Sequence, residues 1–145
     1  MRSSALIAVA ALAIFPAASF AQATKFQKAD CSTSLDHTVC MAQTKQMASD
    51  WKRANNGDYG SQRNVAFCLK NGCDGSTKID AVGACSWRMI IQAAENEKDA
   101  ADRWSYDADC KPLTNSDRRT AINQAEKIYS RIYGKQMPIE RLLRD

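Results

Sequence analysis

The stretch from Asp80 to Ala94, DAVGACSWRMIIQAA, decides the fold class of this chain. Asp80 is a residue type that caps the start of helices. Ala84, Trp87 and Ile91 follow it at three- and four-residue steps. That period places the three apolar side chains on one face of a helix. The stretch therefore predicts a helix from Asp80 through about Ala94 that packs against neighbouring elements.

Four other segments show the helical period and are bounded by turn residues. They cover residues 34–54, 59–70, 97–107 and 114–133. Gly72 and Gly134 stand where two of these helices would end, because glycine readily takes the left-handed backbone of a helix end. No segment alternates apolar and polar residues strongly enough to indicate a strand. The sequence therefore predicts an all-α fold, to which the tail from Pro138 could add one or two turns.

Two of the predicted helices carry apolar stripes that we expect to face the core. The stripe of the first helix, which Asp36 or Ser34 could cap, consists of Leu35, Val39, Ala42, Met47 and Trp51. The apolar side of the acidic helix consists of Ala100, Ala101 and Trp104. We expect Trp51, Trp87 and Trp104 to pack in the core, since their helical settings fit packing better than stacking on a ligand.

A second pattern covers the range 57–94. Its matching residues are Gly57, Gln62, Val65, Ala66 and Gly72, followed by Asp80, Ala84 and Trp87 at the spacing D-x-x-x-A-x-x-W. With these residues the range resembles one Sel1-like repeat, a relative of the tetratricopeptide helical hairpin. It departs from the family pattern at Leu69, where tyrosine is usual, and in a loop that is two residues longer.

The resemblance implies a short array of helical hairpins in which helices 34–54 and 97–133 act as degenerate repeats or caps. Solenoid repeats normally need about three stacked units for stability. Disulfides would supply the stability that a single repeat lacks, at about 2–4 kcal/mol each.

The Sel1-like resemblance also implies an adaptor surface that holds a protein or peptide segment. We therefore expect a secreted or periplasmic protein-binding module of Sel1-like type. Its groove would lie along the helix of residues 59–70, with Tyr59, Gln62, Arg63 and Asn64 as candidate contacts. Two other functions stay open, a hydrolase acting on cell-envelope material and an inhibitor of another secreted protein.

The sequence offers little material for catalysis. His37 is the only histidine, and no serine or cysteine nucleophile stands at a known spacing from it. The acidic run from Glu95 to Asp109 could supply a carboxylate pair for hydrolysis, but nothing in it favours one pair. Asp107-Ala108-Asp109 lacks the glycine and terminal glutamate of a calcium loop. We therefore expect no catalytic residues, no cofactor and no metal.

The six cysteines lie between residues 31 and 110, and sequence alone does not choose among their possible pairings. The first arrangement pairs Cys31 with Cys40, Cys68 with Cys73 and Cys85 with Cys110. The rival arrangement pairs Cys68 with Cys85 and Cys73 with Cys110. A zinc site or a redox-active pair would favour C-x-x-C spacings, which the chain lacks, so we expect structural disulfides.

Residues 1–21 read as a cleavable export signal. Arg2 supplies a positive start, and the apolar run from Ala5 to Phe15 is too short to span a bilayer as a stable helix. Cleavage could follow Ala21 or Ala23. We expect residues 24–145 to form a single helical domain with no membrane span, in a compartment where thiols are oxidised.

The charge of the chain is weak and unevenly placed. The sequence has 20 Lys and Arg against 16 Asp and Glu, a formal net charge of +4. That charge is too small to indicate a nucleic-acid partner, which usually meets a clustered basic face. Acids concentrate in residues 95–109 and bases in residues 117–145. We interpret the two segments as solvated helix faces, with a docking surface of two electrical poles as the alternative.

Overall fold

The structure is a computed structural model that describes residues 26–95 and 99–142. Its five helices are α1 (His37–Ala54), α2 (Tyr59–Asn71), α3 (Ala81–Ala93), α4 (Ala100–Cys110) and α5 (Asn115–Tyr133). Short 3-10 turns cover Cys31–Thr33 and Ile139–Arg141. In these two ranges the only β-pairing is one isolated bridge between Lys28 and Thr77. The predicted all-α fold is confirmed, whereas the predicted export signal lies outside the described residues.

Each of the five helices begins at a side chain that binds its first turn. The caps are Asp36, Asp58, Asp80, Asp99 and Thr114. Each accepts a hydrogen bond from a backbone N–H that has no partner within the helix. Gly72 and Gly134 follow α2 and α5 with positive φ angles of 80° and 67°. The predicted start of α3 and the predicted ends of α2 and α5 are therefore confirmed.

Helix α3 is the centre of the fold. It packs against α2, α4 and α5, while α1 packs against α2. Every residue from Gly83 to Ala93 is buried. A helix that is covered on all sides carries apolar residues around most of its circumference, which explains the run of Met89, Ile90 and Ile91 beside Trp87.

Helices α1 and α2 run in opposite directions. Asn64 Nδ2 lies 3.3 Å from Asp50 Oδ2, and Arg53 Nε lies 2.9 Å from Ser61 Oγ. The order of the contacts therefore reverses from one helix to the other. Helix α3 in turn starts beside the end of α2, where the N–H of Asp80 donates to the carbonyl of Leu69 at 2.8 Å.

Helices α3 and α5 run in the same direction. Ser86 contacts Gln124 and, further along both helices, the carbonyl of Ala93 lies 3.5 Å from the hydroxyl of Tyr129. Helix α4 runs in the opposite direction to α3 and α5, because its last residue, Cys110, is bonded to Cys85 in the first half of α3.

The core contains two of the three tryptophans. Trp87 is 1% exposed, and its ring meets that of the half-buried Trp51 edge-on at 5.7 Å between centroids. Trp104 is 74% exposed, so the expectation that it packs in the core is wrong. It lies on the side of α4 that turns away from α2 and α3.

Helix α4 is turned the other way from the sequence-based prediction. It begins at Ala100 and presents Ala100, Ala101 and Trp104 to solvent, while Asp102 and Asp109 are buried. The facing helices explain this inversion, because they place arginine side chains against both carboxylates and so lower the cost of burying them. The interpretation of the acidic segment as a solvated face is therefore wrong for these two residues.

Helix α1 also departs from the predicted stripe in its first half. Leu35 precedes the helix and is fully exposed, and Val39 and Ala42 are exposed as well. Burial begins at Cys40 and continues at Met47, Asp50 and Ala54, one or two turns apart. Cys40 is buried beside its disulfide partner Cys31, whereas Met47 and Ala54 belong to the hydrophobic core.

Three disulfides join Cys31 to Cys40, Cys68 to Cys73 and Cys85 to Cys110. These are the pairs of the first arrangement and not those of its rival. Cys31–Cys40 holds the first 3-10 turn to α1, and Cys68–Cys73 holds the end of α2 to the loop that follows. Cys85–Cys110 is the one pair that joins two helices.

Candidate functional site

Two ion pairs join α2 to α4. Near the start of both helices, Arg63 Nε lies 3.1 Å from Asp102 Oδ1. Near their ends, Lys70 Nζ lies 3.9 Å from Asp109 Oδ1. The pairs meet start to start and end to end, so the two helices point in the same direction. We call the outer surface of these two helices the α2/α4 face.

The first ion pair belongs to a larger polar cluster. The hydroxyl of Tyr59 donates to the carboxylate of Asp102. The backbone N–H of Asp99 lies 3.2 Å from the Tyr59 oxygen and 3.1 Å from Asp102 Oδ2. The guanidinium of Arg63 lies 5.6 Å from the centroid of the Tyr59 ring. The cluster therefore ties the first turn of α4 to the first turn of α2.

Tyr59 is the hydrogen-bond donor of this cluster over the whole neutral range. Burial, and then its hydrogen bond to Asp102, raise the pKa of the Tyr59 hydroxyl above its ordinary value. A tyrosine with such a pKa keeps its proton at neutral pH. Tyr59 therefore stabilises the buried carboxylate and is not poised to act as a base.

The second ion pair continues into α3. Arg88 Nε lies 2.8 Å from Asp109 Oδ2, so Asp109 bridges Arg88 and Lys70. Arg88 is buried and Lys70 is half-exposed. Asp109 therefore connects the central helix to the α2/α4 face.

The structure separates the four candidate contacts. Tyr59 and Arg63 are half-buried and occupied with α4, although about a third of the Arg63 side chain is exposed. Asn64 is exposed on the same helix. Gln62 has no exposed surface, because its amide lies 3.1 Å from the Tyr133 hydroxyl and 3.3 Å from the Ala54 carbonyl. The expectation that Gln62 contacts a partner is therefore wrong.

Two aromatic side chains on the α2/α4 face were missed by the sequence analysis as candidate contacts. Phe67 is 55% exposed on α2, and Trp104 is 74% exposed on α4. Phe67 lies between Arg63 and Lys70 in the chain, and Trp104 lies between Asp102 and Asp109. Along the helix axes both aromatic residues therefore lie at levels between the two ion pairs, with Trp104 on the side of α4 that turns away from α2.

One sequence signal could have found this arrangement. Arg63 and Lys70 are seven residues apart, and Asp102 and Asp109 have the same separation. Seven residues are about two helical turns, so each pair projects from one side of its helix. Two cations that match two acids in spacing predict two helices side by side.

The histidine, the cysteines and the possible metal ligands were located in the described parts of the chain. His37 is the first residue of α1 and is exposed. All six cysteines are held in disulfides, so none supplies a thiolate nucleophile. Residues 26–95 and 99–142 contain no group of three or more His, Cys, Asp or Glu side chains that could hold a metal ion.

The described helices are also short or polar by the standard of a bilayer. None of them combines the length and the apolar character that crossing a membrane requires.

Comparison of the chain with protein-family models, with curated proteins and with solved structures finds no match.

Proposed function

We propose that this chain is a secreted or periplasmic protein-binding module built as a short array of Sel1-like helical hairpins. The directions of the helices support an array. Helices α2 and α4 run in the same direction, and so do α3 and α5, so that helix direction alternates from α2 to α5, and both α4 and α5 pack on α3. Stacked helical hairpins repeat in this way. Helix α1, packed on α2, takes the place of a terminal cap.

The partner binds on the α2/α4 face. The observation that carries this assignment is the exposure of Phe67 on α2 and of Trp104 on α4, at levels of the two helices between the ion pairs. Aromatic residues are enriched at protein interfaces and dominate their binding energy, because they bury a large area with few rotatable bonds. Asn64 and the exposed part of Arg63 add polar contacts beside Phe67 on α2.

The ion pairs have a separate part in this proposal. Tyr59 and Arg63 hold the first turn of α4, and Lys70 with Asp109 holds its last turn. They fix the position of Trp104 relative to Phe67. Aromatic side chains on helices held in fixed relative positions bind more tightly than mobile ones, since less conformational entropy is lost on binding.

The disulfides support the proposed location. Three disulfides in a chain of this size are typical of extracellular and periplasmic proteins, because thiols stay reduced in the cytosol. The proposal places the module in such a compartment.

The test is capture of partners from envelope extracts on the oxidised protein. Phe67→Ser with Trp104→Ser forms the test variant, and Leu35→Ser, which replaces another exposed apolar residue outside the face, forms the control. We expect one protein that is retained by the wild type and by the control and lost by the double variant. Circular dichroism checks that both variants keep their helices.

Two outcomes would contradict the proposal. A partner that the double variant retains would place the binding surface elsewhere. A partner that only the Leu35→Ser variant loses would assign binding to the disulfide-closed loop of residues 31–40. If the captured protein is an enzyme whose activity falls on binding, the module is an inhibitor, and the α2/α4 face is still tested by the same two variants.

A further inference from the structure

A cavity of about 360 Å³ lies away from the α2/α4 face. Its walls come from α1, α3, α5, one residue of α2, residues 26–27 and the segment that leads into α3. Three aromatic side chains, Phe26, Trp51 and Trp87, line one part of it, and Leu69 and Ile128 add aliphatic surface. A cavity of this size is at the lower end of the range of small-molecule sites.

The aromatic side chains form a connected wall. The ring centroids of Phe26 and Trp51 are 5.8 Å apart, and those of Trp51 and Trp87 are 5.7 Å apart, with tilted and edge-on planes. Such a wall is suited to a large apolar group, because it offers ring faces and ring edges at van der Waals distance. Trp87 and Ile128 are nearly fully buried, so this end of the cavity is closed by the core.

The other end of the cavity carries two opposite charges. Lys78 and Asp80 both line it and both are exposed. In residues 26–95 and 99–142, Lys78 has no carboxylate within ion-pair distance. Asp80 accepts from the Gly83 N–H with Oδ1, as the cap of α3. An ammonium and a carboxylate that are two residues apart along the chain therefore border one opening.

A polar part of the cavity wall is formed by Ser86 and Gln124. Ser86 Oγ lies 2.8 Å from the Val82 carbonyl, 3.1 Å from the Ala121 carbonyl and 3.1 Å from Gln124 Oε1. The side-chain oxygen of Gln124 is therefore turned toward Ser86.

We propose that this cavity binds a free amino acid with a large apolar side chain, in its zwitterionic form. The ammonium group meets the Asp80 carboxylate, and the carboxylate meets the Lys78 ammonium. The apolar side chain enters the aromatic wall of Phe26, Trp51 and Trp87. Each part of a zwitterionic amino acid thus has a complementary group, and neither charge of the ligand is left without a partner.

The test is titration calorimetry of the oxidised protein with L-phenylalanine. N-acetyl-L-phenylalanine removes the positive charge of the ligand, L-phenylalanine amide removes its negative charge, and L-serine removes its apolar side chain. We expect saturable binding of L-phenylalanine and a loss of about tenfold or more for each of the three analogues, since each lacks one charge-assisted contact or the buried ring. These arms use the wild-type protein and do not depend on the folding of any variant.

Two variants then place the charges. Lys78→Gln and Asp80→Asn are the test variants, and asparagine keeps the capping function at residue 80. Lys45→Gln is the control, because Lys45 is exposed on α1 and does not line the cavity. We expect each test variant to weaken L-phenylalanine binding about tenfold and the control to leave it unchanged.

The proposal is overturned by either of two results. One is the absence of saturable binding of L-phenylalanine and L-leucine up to about 10 mM, beyond the weakest affinity that a specific contact of this kind gives. The other is binding of the N-acetyl and amide analogues as tightly as the free amino acid. That result would show that the cavity binds the apolar side chain and that the charges of the ligand do not contribute to its affinity. Neither result bears on the α2/α4 face, so this proposal and the proposed function fail independently.

Discussion

Arg88 and Asp109 form a buried ion pair, with 2.8 Å between Arg88 Nε and Asp109 Oδ2 and only 8% of each side chain exposed. The pair lies beside the Cys85–Cys110 disulfide, because Asp109 precedes Cys110 and Arg88 follows Cys85 by three residues. A covalent bond and an ion pair therefore hold the end of α4 to neighbouring turns of the central helix α3.

Removing one member of this pair is expected to be costly. Arg88→Ala leaves the buried Asp109 carboxylate with only the more distant Lys70, so we expect a loss of about 3 kcal/mol in the free energy of unfolding. Urea denaturation followed by circular dichroism measures it. The double variant Arg88→Met, Asp109→Leu removes both charges and is expected to recover much of the loss. A loss below about 1 kcal/mol for Arg88→Ala would mean that water reaches Asp109 in solution.

The position of Gly72 predicts opposite effects of two glycine substitutions in and after α2. Gly72 has a φ of 80°, and a Cβ there would lie 3.4 Å from the Thr77 carbonyl and from Ile79. Gly72→Ala should therefore cost about 1–2 kcal/mol. Gly60→Ala is the matched control, since Gly60 is helical and a Cβ there meets nothing closer than 3.8 Å. We expect it to stabilise the protein by up to about 1 kcal/mol, and thermal unfolding distinguishes the two. Equal effects of the two variants would contradict the backbone argument.

The disulfides are expected to differ in their contribution to stability. The Cys85–Cys110 bond spans 25 residues and the Cys68–Cys73 bond spans 5. On the chain-entropy model, replacing both cysteines of a pair by alanine should cost about 3.5 kcal/mol for the long loop and about 2 kcal/mol for the short one. Urea midpoints of the two double variants test this order. A larger loss for Cys68–Cys73 would show that the bond acts mainly on the folded loop.

The raised pKa of Tyr59 predicts a dependence of stability on alkaline pH. The folded protein holds the phenol proton more tightly than the unfolded chain, because burial and the Asp102 carboxylate disfavour the phenolate. The stabilising contribution is therefore complete below the unfolded pKa of about 10 and disappears as the pH rises through the folded value. Tyr59→Phe should make unfolding less sensitive to pH in this window.

Absorbance titration of the phenolates gives a second measurement of the same effect. Tyr129 also has a pKa raised by burial, so the wild type should show two late-titrating tyrosines and Tyr59→Phe should show one. Tyr59→Phe also removes the hydroxyl donor of a buried carboxylate, which should cost about 1–3 kcal/mol at neutral pH. An unchanged titration curve would mean that Tyr59 is solvated and that the hydrogen bond to Asp102 is not formed.

Local features of the chain were enough to predict the helices. Asp80 and Thr114 bind the first turns of their helices through atoms three residues away, and Gly72 and Gly134 end helices through their own backbone freedom. These interactions involve neighbours in sequence, so they can be read without the fold. The candidate contact at Gln62 could not be judged in the same way, because its burial depends on Tyr133, which is 71 residues away.

Packing with the other helices determines which side of α4 faces inward. That side is not the most hydrophobic side of the helix. Hydrophobicity alone would place Trp104, Ala100 and Ala101 in the core. In the structure these residues are exposed, and Asp102 and Asp109 are buried instead. The free energy of burying a carboxylate is set by the cation that meets it, and Arg63 and Arg88 reach it from other helices. Helix starts, helix ends and the all-α class thus follow from contacts between sequence neighbours. The exposure of Phe67 and Trp104 and the cavity lined by Lys78, Asp80 and the aromatic side chains arise only when distant segments are packed together.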